Sequence, residues 1–335
     1  MGITDRATRL KIGVATVASG ALAAAAAVGL AGSAGAATGT PAVAAPSAGY
    51  QFVTLGSHRD RTFNQLLGIN NEGVIAGYFG SGAAGHPNKG YTIRSPYAQG
   101  DISNENFPYS AQTQVTGLND KGVTVGFWVN ASDANFGFYA SGGHFHEVNF
   151  PTGTPAKPPV DQLLGVNNHN VAVGFFTNAS GQNRGYTYNI NTKTFSRVLP
   201  PGASNSNLGP SLTAAAINNR GDVAGFYNVN SSTVDGFVKI GNSFVRLAVG
   251  GATMTQAFGV NDSDVVVGTY TDGSGSTATT HGFLWRPGYG FTTNIDDPNG
   301  IGTTLLNGIN NENDIVGFYT DSAGNTDGLL AYPGF

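Results

Sequence analysis

One phrase, repeated six times, restricts the possible folds of this chain more than any other feature. It first reads Gly68-Ile69-Asn70-Asn71-Glu72-Gly73-Val74-Ile75-Ala76-Gly77-Tyr78, and it returns from Gly117, Gly165, Ala216, Gly259 and Gly308. The intervals are 49, 48, 51, 43 and 49 residues. The chain is therefore an array of near-equal units, none long enough to bury an apolar face without its neighbours. Within each unit, short β-branched and aromatic runs are punctuated by Gly, Asn and Pro, the pattern of strand and turn. The first strand ends in the Gly-Ile-Asn phrase and the second is the Val-Ile-Ala-Gly-Tyr type of run. The third starts at another recurring glycine, as in Gly90-Tyr91, Gly137-Phe138 and Gly185-Tyr186. The fourth opens with Ile102, Phe145, Phe195, Phe244 or Phe291. Fifty glycines and only 11% charged residues disfavour helices in the same way.

Four antiparallel strands per unit and six units predict an all-β fold, a six-bladed β-propeller of four-stranded antiparallel blades. The sixth unit ends after its third strand, near Tyr332, while Phe52–His58 has fourth-strand form but precedes the first unit. The N-terminal strand is thus expected to pair with the last blade and close the ring, which removes exposed sheet edges. An open β-solenoid has no use for such a displaced strand. Between the first two strands, Asn-Asn-x-Gly supplies a turn that needs positive φ. Its variable position holds Glu72, Lys121, His169, Arg220, Ser263 or Glu312. That tolerance marks a solvent-exposed tip and makes His169 and Arg220 poor candidates for chemistry.

Residues 1–36 read as a secretory signal peptide. Arg6, Arg9 and Lys11 precede an Ala/Val/Gly/Leu-rich run from Ile12 to about Ala31, and Ala34-Gly35-Ala36 offers small residues for cleavage. A membrane anchor is the competing reading, but the run is poor in Leu, Ile and Phe and contains glycines. Residues 37–49 form a flexible spacer, and residues 50–335 form the propeller. The mature protein is expected to be extracellular, free of the membrane and monomeric. Sixteen Lys+Arg against 20 Asp+Glu, net −4, disfavour a nucleic-acid partner. Zero cysteines exclude disulfides and thiolate metal sites.

Gly-Ile-Asn-Asn-x-Gly, the Val-Gly-Phe-Tyr-Thr-Asp run from Val316 and His281-Gly282-Phe283-Leu284-Trp285 resemble the bacterial extracellular HAF repeat family across all six units. The resemblance implies a secreted, propeller-like repeat protein and transfers no catalytic residue. Only His281 supplies the histidine before the third-strand glycine. Lys89, Phe136, Arg184, Asp235 and Asp327 stand in its place elsewhere.

Candidate chemistry is sparse. Three residues before the first-strand glycine stand Gln65, Gln114, Gln162, Thr213, Gln256 and Leu305. The four amides and the Thr213 hydroxyl suggest a polar collar near the axis, suited to sugar hydroxyls or a peptide backbone. The bland alternative is that they satisfy neighbouring blades. Asn70, Asn119, Asn167, Asn218, Asn261 and Asn310 are constant among copies, and a structural role accounts for them. His144 and His146 share one strand face at the outer rim of the second blade, with no third ligand in the pattern. Asp296-Asp297 reads as an exposed turn, and no metal or cofactor is expected. Asp161, Asp235 and Asp327 are the weak catalytic candidates, should they converge on one face. The sequence thus predicts a secreted binding module that recognises an extracellular glycan or other polymer through a polar axial face, its repeated shallow sites gaining by multivalency. The alternatives are a polysaccharide hydrolase or lyase with an axial carboxylate site, and an interaction scaffold.

Overall fold

The computed structural model describes residues 49–334. The segments read as leader and spacer lie outside the described residues, apart from Gly49. Among the described residues, strands account for all regular structure except two short 3-10 turns, Gln99–Asp101 and Gly275–Thr277. No helix among the described residues is long and apolar enough to cross a membrane.

The units fold as their spacing suggests. In the first, Asn64–Ile69, Ile75–Phe79, Lys89–Ile93 and Ile102–Asn104 form an antiparallel four-stranded sheet in chain order. The second unit (residues 112–148) and the third (residues 161–197) repeat this order. The fourth and fifth do likewise and are joined into one larger sheet by a single parallel pair, Val234 with Met254. The sixth contributes Thr304–Ile309, Ile315–Thr320 and Thr326–Pro333, and Tyr50–Thr54 is its outer strand, antiparallel with Phe52 opposite Ala331. Tyr50 and Phe52 pack on the cluster of Leu306, Ile315 and Leu329, so apolar burial holds the displaced strand as well as its hydrogen bonds.

The recurring third-strand motif builds the core. Tyr91, Phe138, Tyr186, Phe237, Phe283 and Leu329, each following the recurring glycine, are at most 1% exposed. The glycine before each lets the next sheet approach. A Cβ at Gly137 would sit 3.4 Å from Leu163, and one at Gly328 would press on Leu66 of the first unit, 2.8 Å away. One apolar cluster accordingly combines Leu66, Ile75 and Tyr91 of the first unit with Val316 and Leu330 of the sixth.

Asn-Asn-x-Gly makes the turn that its residues demand. The fourth position has positive φ in all six copies: Gly73 (71°), Gly122 (76°), Asn170 (59°), Gly221 (87°), Asp264 (57°) and Asn313 (66°). The constant Asn organises it. Asn167 Oδ1 accepts from the backbone N–H groups of His169 and Val171, both at 3.0 Å, while its Nδ2 donates to the Asn218 carbonyl of the next unit at 2.9 Å. One buried side chain thus closes its own turn and ties two units together.

Candidate functional site

The first strands of all six units line a central cavity of about 100 Å³. Each first strand carries a β-bulge just before its Gly or Ala, and the residue that the bulge leaves without a cross-strand partner is Leu67, Thr116, Leu164, Ala215, Phe258 or Asn307. A bulge re-aims the side chain it displaces, and all six displaced residues are among those that line the cavity. At the mouth stand Asn71, Asp120, Asn168, Asn219, Asp262 and Asn311. The backbone N–H of each donates to the side-chain Oδ1 of the next, from Asn71 to Asp120 at 2.8 Å onward to Asp262 to Asn311 at 2.9 Å. The sixth bond, Asn311 N–H to Asn71 Oδ1 at 2.9 Å, returns to the first unit. The four Asn amides donate in addition to Oδ2 of Asp120 or Asp262. At about 100 Å³ the cavity is well short of the several hundred Å³ of a ligand pocket.

The expected collar is not part of this opening. Gln65, Gln114, Gln162, Thr213 and Gln256 are buried, and none lines the cavity. Side chains stand perpendicular to their own sheet, so those of a first strand face the sheets on either side rather than the opening along its edge. Gln114 Nε2 donates to Asn88 Oδ1 at 2.9 Å and Gln162 Nε2 to Asn135 Oδ1 at 3.3 Å, each partner belonging to the preceding unit. Thr213 Oγ1 accepts from Asn183 Nδ2 of the unit before it, at 3.1 Å. Gln65 Oε1 accepts from the Tyr78 hydroxyl at 2.7 Å. Gln114, Gln162 and Thr213 thus join neighbouring units, while Gln65 is held within its own sheet.

The candidate carboxylates do not meet. Asp235 forms an ion pair with Arg246 on its own sheet. Asp327 is raised above the ordinary carboxylate range by burial and by Asp321 and Asp297. Asp161 Oδ2 accepts from the Phe150 N–H at 2.7 Å, and its Oδ1 accepts from the Tyr186 hydroxyl. Burial pushes Asp161 up to about 7 against those two hydrogen bonds. Tyr186 is fully buried, so the pair is not presented to a substrate. Asp297 also departs from expectation. It is 2% exposed and accepts from Asn299, while Asp296 bonds His281 Nδ1 at 2.7 Å, so this acidic pair braces a connection instead of forming an exposed tip. His144 and His146 are exposed, and no group of metal-ligating side chains occurs among the described residues.

A larger recess lies beside the third sheet. An open groove of about 550 Å³ is lined by Phe150, Phe195, Ser196, Arg197, Leu199 and Asn205, a size within the range of small-molecule sites. The two longest connections between units, residues 149–160 and 198–211, flank this sheet and supply Phe150, Leu199 and Asn205. Phe150 stacks on Phe176 at 4.6 Å and meets Phe195 edge-on at 5.2 Å, so a rigid aromatic cluster forms the floor. Arg184 fastens the end of the second connection: its Nη1 donates to the carbonyls of Gly209 (2.8 Å), Pro210 (3.1 Å) and Leu208 (3.3 Å). The Arg197 guanidinium lies 4.8 Å from the Phe150 ring centroid and 5.7 Å from that of Phe176. Two signals in the sequence mark this place. The interval of 51 residues between the third and fourth copies is the longest, and residues 149–210 hold Lys157, Arg184, Lys193 and Arg197 against the single acid Asp161.

No protein-family model matches the chain, and no curated protein matches it. Solved structures do. AofleA from Arthrobotrys oligospora superposes with a TM-score of 0.51 at 10% identity, over 85% of this chain and 93% of that one. A lectin from Aleuria aurantia in complex with Fucα1-6GlcNAc is similar at a TM-score of 0.48 and 10% identity, over 80% and 91% of the two chains. A polysaccharide lyase, an ulvan lyase, reaches 0.45 at 12% identity over 80% and 78%. At these identities the AofleA match is a likeness of fold alone.

Proposed function

We propose that this chain is a secreted binding module, a closed six-bladed β-propeller that recognises an extracellular glycan through the groove beside its third sheet. The return of the Asn/Asp hydrogen bonds from Asn311 to Asn71, and the seating of Tyr50–Thr54 on the last sheet, support closure. The leader-like residues 1–36 and the HAF resemblance support export. The observation that carries the binding reading is the groove itself: about 550 Å³ with aromatic surface and the exposed amide of Asn205, against about 100 Å³ at the centre. Aromatic surface meets the apolar face of a sugar ring, and hydroxyl and amide groups match its hydroxyls.

A glycan array followed by titration of the hits tests this reading. Saturable binding without product is expected. Asn205→Trp fills the groove from an exposed loop position and should weaken binding by ~10-fold or more, the equivalent of about 1.4 kcal/mol, whereas Glu72→Gln at a remote turn tip should change nothing. Binding indifferent to Asn205→Trp would contradict the groove. Turnover of a polysaccharide, lost in Asp161→Asn, would instead support the hydrolase or lyase reading.

A further inference from the structure

The groove lies in the one strongly cationic unit of an acidic protein. Residues 149–210 carry a net +3, with Asp161, their only acid, buried and bonded to Tyr186 and Phe150. Residues 304–334, by contrast, hold Glu312, Asp314, Asp321 and Asp327 and no Lys or Arg. The arginines near the groove differ in what they already hold. Arg184 is engaged by the carbonyls of residues 208–210, and in the next unit Arg246 pairs with Asp235 and Arg220 with Asp222 and Asp264. Arg197 has no ion pair and its side chain no hydrogen bond among the described residues, and its guanidinium carbon lies over the Phe150 ring at the groove wall. A guanidinium with its fork of N–H donors uncommitted, held over an aromatic face, is the group that reads a planar or tetrahedral oxyanion bidentately. Asn205, exposed on the same groove, adds a neutral amide beside it.

We infer that the groove takes an acidic glycan, with Arg197 holding the anionic group of one sugar residue, a carboxylate or a sulfate. This rests on the glycan-binding reading above and narrows it to a ligand class. Charge complementarity selects the occupant: a polyanion is drawn to the third unit and repelled by the acidic sixth.

Titration of the full chain at low salt with three oligosaccharides of matched length tests the inference: a polygalacturonate oligomer, a sulfated chondroitin oligomer and a neutral cello-oligomer. At least one acidic oligomer should bind ~10-fold or more tightly than the neutral one, and raising the salt should erode the difference as screening sets in. The two acidic arms identify which anion is read. Arg197→Gln should bring the acidic oligomer to the neutral level, with Arg197→Lys in between. Asn205→Asp places a negative charge in the groove without touching its packed floor, and it should weaken acidic binding even if Arg197→Gln disturbs folding. A neutral oligomer that binds as tightly as the acidic ones, with Arg197→Gln silent, overturns the inference and leaves the groove reading intact. No binding by any of the three, or binding unaffected by Asn205→Trp, overturns both.

Discussion

Asp161 shows how a residue's neighbours decide its role. The sequence placed it one residue before Gln162, at the start of a first strand, and a carboxylate there was a reasonable catalytic candidate. The fold buries it between Tyr186 and the Phe150 backbone, where it fixes the floor of the groove instead of facing a substrate. Its proton is held up to a pH of about 7 in the folded chain, against roughly 3.9 in an unfolded one. The folded state therefore binds the proton more tightly between these values. The stability contributed by neutral Asp161 is complete below about pH 4 and is lost as pH rises through about 7, on the order of a few kcal/mol across the window. Asp161→Asn stays uncharged throughout, so urea midpoints at pH 4, 6 and 8 should fall less for the variant than for the native chain. An equal fall in both would remove Asp161 from this account. The constant Asn residues, by contrast, were legible as structural, because one amide suits both a positive-φ turn and a bridge to the next unit. For the Gln set, residue type alone left a collar and a bond to the neighbouring unit both open, and the direction in which a strand points its side chains decides for the bond.

Strand count, order and turn positions followed from the repeat, since Gly, Asn and apolar alternation act locally. The bulges did not. Nothing in Leu-Leu-Gly or Val-Thr-Gly announces an extra residue, yet every bulged residue lines the central cavity. The constant second-strand glycine answers to a close approach of backbone: a Cβ at Gly174 would collide with the Gln162 carbonyl across the hairpin. Gly174→Ala should accordingly cost about 2–3 kcal/mol in chemical denaturation, as overpacking of a close contact does. Gly153→Ala, where an added Cβ has no atom within 4 Å, should stay within ~0.5 kcal/mol. Similar midpoints for the two variants would contradict the close-approach explanation.

For the molecule as a whole, near-identity of the units hides the difference that matters. Six equivalent Asn/Asp positions and six similar cores make a symmetrical frame, and a symmetrical frame suggested a central site. The longest connections and the excess of Lys and Arg single out the third unit, because connections and charge are free to vary where packing is not. Hydrogen–deuterium exchange of the full chain, with and without the tightest-binding oligosaccharide, tests the location directly. Slowed exchange of backbone amides in residues 149–151 and 194–210, with the Asn71-to-Asn311 turns unchanged, is the predicted result. Protection centred on those six turns, with the third-sheet connections unaffected, would contradict it.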